Sequence, residues 1–106
     1  MCQTRLLSSK SNITVNYCMH CNQYYLWHNN LLLNFSAEKF TLFKEAVAAL
    51  RYEDCSFPFP DKVNRAIINT PCSDISMAFT WEEWKCLNEV MEEAIFMREV
   101  YNLLKD

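Results

Sequence analysis

Glycine is absent from all 106 residues of the chain. Phosphate-cradling loops, nucleophile elbows and dinucleotide fingerprints need glycine where the backbone approaches a ligand or turns with positive φ. The sequence therefore argues against nucleotide-dependent enzymes of those classes. Long hydrophobic runs are missing too: no stretch approaches the ~20 apolar residues of a membrane span. The first twelve residues hold only Leu6-Leu7 between Arg5 and Lys10, which does not make a signal peptide. Charge of one sign is also scarce. The net charge is -3 and the ten basic residues are scattered, unlike the one-sided basic footprint of a nucleic-acid binder. These absences predict a soluble cytoplasmic protein that engages neither membrane nor nucleic acid. In that compartment the six cysteines are expected as thiols or metal ligands rather than disulfides.

The chain is rich in core-forming side chains, 51% apolar and 14% aromatic. One domain over residues 1–106 can then bury a core without staples. Residues 1–12 are polar and read as a loose arm. Ile13 to Tyr17 alternates apolar and polar, as a half-buried strand does. Cys18 to Gln23 is a tight turn, and Tyr24-Tyr25-Leu26-Trp27 a β-prone aromatic strand. Asn29-Asn30 turns the chain, because asparagine tolerates left-handed backbone better than any residue but glycine. Leu31 to Phe35 is the next strand.

Ser36 reads as a helix cap. Phe40, Phe43, Val47 and Leu50 then recur at helical spacing. Pro58 and Pro60 predict a loop over 52–62. Strands are expected at 65–70 and 75–79. Thr80 and Glu83 form a capping box before a long helix over about 81–104.

Leu31, Leu33 and Phe35 align with Ile75, Met77 and Phe79 at a constant offset of 44, and Phe40 and Phe43 with Trp84 and Leu87. The reading is an α+β domain of duplicated ββα units, 13–51 and 65–104. A four- to five-stranded antiparallel sheet would carry two helices on one face. The second sheet face then carries Tyr25, Trp27 and Leu32, an apolar patch of the kind that marks an interface. Alternatively, Leu6 and Leu7 fold over it. The final helix is longer than a short sheet can cover, so Met97, Tyr101 and Leu104 overhang. A homodimer or another protein partner would cover them; packing on the first helix and the 52–62 loop is the other solution.

Cys18-Met19-His20-Cys21 is the one local constellation with chemical character. A redox pair needs its first thiol at a helix N-terminus, and this pair lies between strands. Haem attachment needs a histidine after the second cysteine, where Asn22 stands. Zinc fits better, since two thiolates two residues apart reach one tetrahedral ion from a tight turn. The twofold arrangement of the halves points to Cys72 as a third ligand, with His20 or Cys2 as a fourth. Reduced cysteines filling a turn are the plain alternative. His28, in a turn beside Trp27, reads as a surface polar side chain, and no acid–base pair in a cleft supports an enzyme.

The run Tyr17-Cys18-x-x-Cys21, an aromatic strand, Asn29-Asn30-Leu31-Leu32-Leu33-Asn34-Phe35-Ser36 and Glu38-x-Phe40-x-x-Phe43 resembles a family of small uncharacterised Bacteroidetes proteins. The resemblance covers roughly residues 13–50. It implies a bacterial cytoplasmic protein in which the cysteine turn matters, and it brings no catalytic residues. Taken together, the sequence suggests a non-enzymatic interaction protein, with a zinc-binding protein as the alternative.

Overall fold

A computed structural model describes residues 3–104. Four strands form an antiparallel meander: β1 (Arg5–Lys10), β2 (Ile13–Cys18), β3 (Gln23–His28) and β4 (Leu31–Ser36). Helix α1 (Ala37–Ala49) follows, then one helical turn, α2 (Tyr52–Cys55). Strands β5 (Ser56–Pro58), β6 (Asn64–Asn69) and β7 (Ser76–Phe79) form a second antiparallel ladder, and α3 (Trp81–Leu104) ends the chain. The α+β class and the four-stranded antiparallel sheet are as expected. The strands of the second half make a ladder of their own.

Without glycine, the left-handed turn positions fall on Ser11 (φ 54°), Asn22 (φ 56°), Asn29 (φ 54°) and Lys62 (φ 67°). The two asparagines adopt this region readily. Ser11 and Lys62 each pay about 1 kcal/mol for it. The turns after β1 and β3 are clamped together, Asn12 Nδ2 donating to Asn29 Oδ1 at 2.9 Å.

Alternation along the strands sends Ile13, Val15, Tyr17, Tyr24, Leu26 and Phe35 to one face of the sheet, where all are buried. Both long helices cover that face, α3 over β1 and β2 and α1 over β3 and β4. From α1 come Phe40, Phe43 and Val47; from α3, Leu87, Val90, Met91 and Ala94. Phe40 stacks on Tyr24 with ring centroids 4.2 Å apart and meets Phe35 edge-on at 5.7 Å. Each such side chain, fully buried, stabilises by about 2 kcal/mol.

Both helix starts carry the predicted caps. Ser36 Oγ accepts from Lys39 N at 3.2 Å. In the capping box, Thr80 N donates to Glu83 Oε1 at 2.9 Å and Glu83 N to Thr80 Oγ1 at 3.3 Å. Tyr52 reaches from α2 to donate to the carbonyls of Asn64 and Phe79. Its hydroxyl thereby ties α2 to the second ladder.

Four expectations are corrected. Residues 5–10 are a strand and not a loose arm. A bulge between Leu6 and Ser8 turns both Leu7 and Ser8 inward. Ser8 Oγ donates to Glu93 Oε1 at 2.6 Å, and Lys10 Nζ lies 2.8 Å from Glu89 Oε1, so β1 is tied to α3. Second, Leu7 enters the core under α3 while Leu6 remains 53% exposed, so the pair does not fold across the second sheet face. Third, the 52–62 loop includes α2 and β5. Fourth, His28 is not a surface side chain: its ring packs 5.0 Å from that of Phe79, with Nε2 3.9 Å from Glu83 Oε2.

Candidate functional site

The face of the first sheet turned away from the helices is built by the same alternation that builds the core. Its positions are Leu6 and Ser9 on β1, Thr14, Asn16 and Cys18 on β2, Gln23, Tyr25 and Trp27 on β3, and Leu32, Asn34 and Ser36 on β4. None is charged, in a chain with 22% charged residues. Thr14, Asn16, Tyr25, Trp27 and Leu32 line a hollow of about 190 Å³. Tyr25 is buried and forms the floor. Trp27 is 55% exposed and Leu32 44%, and they make the rim.

Trp27 is held in place. Its indole Nε1 donates to the Asn29 carbonyl at 2.6 Å, so the one polar atom of the ring is satisfied and its apolar surface faces outward. A large side chain fixed in this way loses little rotamer freedom when something packs on it. Beside it, Asn16 Nδ2 donates to Thr4 Oγ1 at 3.1 Å, fastening the start of β1 to β2.

The cysteine turn closes the opposite end of the β2–β3 hairpin from Asn29. Cys18 is buried, Cys21 exposed, and the Cys21 amide donates to Cys18 Sγ at 3.4 Å. Asn22, next in the chain, takes the left-handed conformation and accepts from the Tyr17 hydroxyl through Oδ1 at 3.0 Å. Burial pushes the Tyr17 phenol up from its ordinary pKa, partly offset by the Arg98 guanidinium over its ring.

Among the described residues no three of His, Cys, Asp or Glu stand together as a group able to hold a metal ion. Cys18, Cys21, His20 and Cys72 are therefore not gathered into one set. Cys72 is exposed in the β6–β7 turn, where its amide donates to Thr70 Oγ1 at 3.2 Å. His20 is exposed. Cys2 lies outside the described residues.

At the far end of α3, Met97 and Tyr101 are half-buried against the core, while Leu104 is 73% exposed. The overhang instead presents Phe96 (61% exposed) and Leu103 (82%), with Val100 between them on one stripe. Sequence reasoning missed this stripe because helical spacing alone does not say which face of α3 packs inward. It also missed Leu6 as part of the sheet face, because the β1 bulge hides the alternation.

A family profile matches residues 1–105. The chain belongs to DUF6686, a family of unknown function. Membership of DUF6686 brings no assigned chemistry, so the geometry carries the functional argument. No curated protein and no solved structure matches the chain. Among the described residues no helix is long and apolar enough to cross a membrane.

Proposed function

We propose that this DUF6686 protein is a small non-enzymatic interaction module whose uncharged outer sheet face seats a second copy of the chain. The observation behind this reading is the conjunction of a fixed, half-exposed Trp27 with the adjoining hollow of about 190 Å³ on a face without charge. A knob beside a hole on one surface is what a twofold pairing needs, since each copy's ring can enter the other's hollow. The absence of charge favours a like partner, because two copies of net charge -3 meet there without placing acidic groups opposite each other. The apolar stripe on α3 lacks that property. Glu92, Glu93 and Glu99 sit beside Phe96 and Val100, and self-pairing would set carboxylates near carboxylates.

The size of the face sets the strength. Four six-residue strands span about 19 by 20 Å. That is below the ~800 Å² per partner of a standard interface, so the dimer is weak and dissociates on dilution. Sedimentation velocity from about 1 to about 100 µM tests it. The sedimentation coefficient is expected to rise with concentration, and Trp27→Ser or Leu32→Ser to abolish the rise. Both side chains lie outside the helix-covered core, so the variants are expected to stay folded, which circular dichroism checks. A monomer across the whole range overturns the second copy as occupant.

A second reading rests on the cysteine turn. Cys18 and Cys21 stand two residues apart in one turn, with the Cys21 amide donating to Cys18 Sγ at 3.4 Å, a spacing from which two thiolates reach one zinc ion. In this reading Cys18 and Cys21 bind zinc, and Cys2 is called on for a further position. Metal analysis of protein purified in reductant without chelator discriminates. About one zinc per chain, lost in Cys18→Ser, supports the reading; a trace amount unchanged by Cys18→Ser overturns it.

A further inference from the structure

We infer that the helix-covered side of the fold carries a binding site for a small organic anion, a carboxylate or phosphate, between Arg5 and Arg98. Arg5, on β1, holds its guanidinium carbon 4.5 Å above the Tyr101 ring. Arg98, one turn earlier on α3, lies 4.0 Å above the Tyr17 ring and 5.9 Å from that of Tyr24. Because Arg5 pairs with Tyr17 across the ladder, the strand and the helix bring the two cations to one place.

Among the described residues neither cation is neutralised. Among the described residues no carboxylate stands within ion-pair distance of Arg5 or Arg98, although Arg51 and Arg65 have partners, Asp54 and Asp61. Arg98 Nε is buried and meets no acceptor among the described residues. Stacking on a tyrosine satisfies the face of a guanidinium but leaves its N–H groups, which lie in the plane, unused. A buried donor left in that state has lost its hydration without replacement, and an oxyanion would supply the missing acceptor.

The space matches the charge. Arg5, Leu7, Tyr17, Met19, Arg98, Tyr101 and Asn102 line a pocket of about 10 Å³, room for about one water. It adjoins an open hollow of about 420 Å³ that shares Arg5, Tyr17 and Met19 and is completed by Gln3, Thr4 and His20. Among the described residues no carboxylate lines either space. An anionic headgroup is held at the mouth of the narrow pocket, in the wide hollow against Arg5, with its oxygens turned toward the two guanidiniums. The rest of the molecule has polar partners in the wide end. Planar arginine forks suit carboxylate and phosphate oxygens, binding them through paired N–H donors.

This site lies on the side of the sheet opposite the proposed dimer face, so the two stand or fall separately. Inorganic phosphate and succinate, titrated separately into the full chain under NMR observation, test it and distinguish the two headgroups. Saturable shifts of amides around Arg5, Tyr17 and Arg98 are expected with at least one of them. Arg5→Gln is expected to weaken that binding at least tenfold. Arg5 is exposed, so this variant keeps its fold; Arg5→Lys keeps the charge without the fork and is expected to recover part of the loss. Absence of saturable shifts with both anions, or equal affinity in Arg5→Gln, overturns the site.

Discussion

Replacing Phe40 by alanine removes the side chain that joins α1 to the first sheet. Phe40 has no solvent exposure, stacks coplanar on Tyr24 at 4.2 Å and meets Phe35 edge-on at 5.7 Å. Deleting a buried phenylalanine costs about 3–5 kcal/mol, transfer and cavity terms together. Ring pairs contribute about 0.5–1.5 kcal/mol beyond area, and two are lost here, which places the change at about 4–5 kcal/mol. Two neighbours on the same helix calibrate it. Phe43 is 8% exposed and has one tilted partner, Phe35 at 5.0 Å, so Phe43→Ala is expected at about 3 kcal/mol. Leu42 is 57% exposed, so Leu42→Ala stays within about 0.5 kcal/mol. Urea unfolding followed by circular dichroism gives all three values at a common slope. With a total stability of about 5–15 kcal/mol for a domain of this kind, Phe40→Ala leaves little of it. A loss under about 1.5 kcal/mol for Phe40→Ala, or no ordering among the three, would refute the packing described here.

Two further outcomes follow from polar contacts. Thr80→Ala breaks the capping box at α3 and is expected to cost about 1 kcal/mol, recovered in large part by Thr80→Ser; equal stability of the Ala and Ser variants in urea would show that the box contributes nothing. Stability is also expected to fall at both ends of the pH range. Asp61, through the Val63 amide and Arg65, and Glu89, through Lys10, hold folded pKa values below 3.8 and 4.5, so their contribution is present above those values and lost as pH falls through the lower folded ones. Tyr17 and Tyr52 are raised above 10.0 by burial, so folding is penalised as pH climbs past 10.0, where the unfolded chain ionises first. Lys10 is raised above 10.5 by Glu89, and its contribution fades as pH rises through that folded value. A stability curve flat from acid to alkali, measured by urea midpoints, would contradict these assignments.

How much of this was legible in the sequence depended on whether a local signal existed. Ser36 and the Thr80–Glu83 box announce their helices because the capping side chains sit at fixed offsets from the amides they serve. Asn29 marks its turn because asparagine is the residue that replaces glycine at positive φ. Ser11 and Lys62 take the same conformation without such a preference, and the turn at Ser11 is what makes residues 5–10 a strand. The bulge in β1 compounds this: with Leu7 and Ser8 both inward, period-two alternation is lost and the segment reads as loose.

The outer face was readable from Tyr25, Trp27 and Leu32 because strand parity is strict. Whether it stayed open depended on where Leu6 and Leu7 went, which only the register of β1 against β2 decides. The pairing of Arg5 with Arg98 was invisible for the same reason: it joins residues 93 positions apart through packing.

The outer sheet face as the surface of association is tested most directly by amide and indole chemical shifts of the full chain, followed by NMR from dilute to concentrated protein. The account predicts concentration-dependent shifts confined to Leu6, Thr14, Asn16, Trp27 and Leu32 and their neighbours on that face, absent in Trp27→Ser. Shifts that map instead to Phe96, Val100 and Leu103 on α3, or spectra that do not change with concentration, would contradict it.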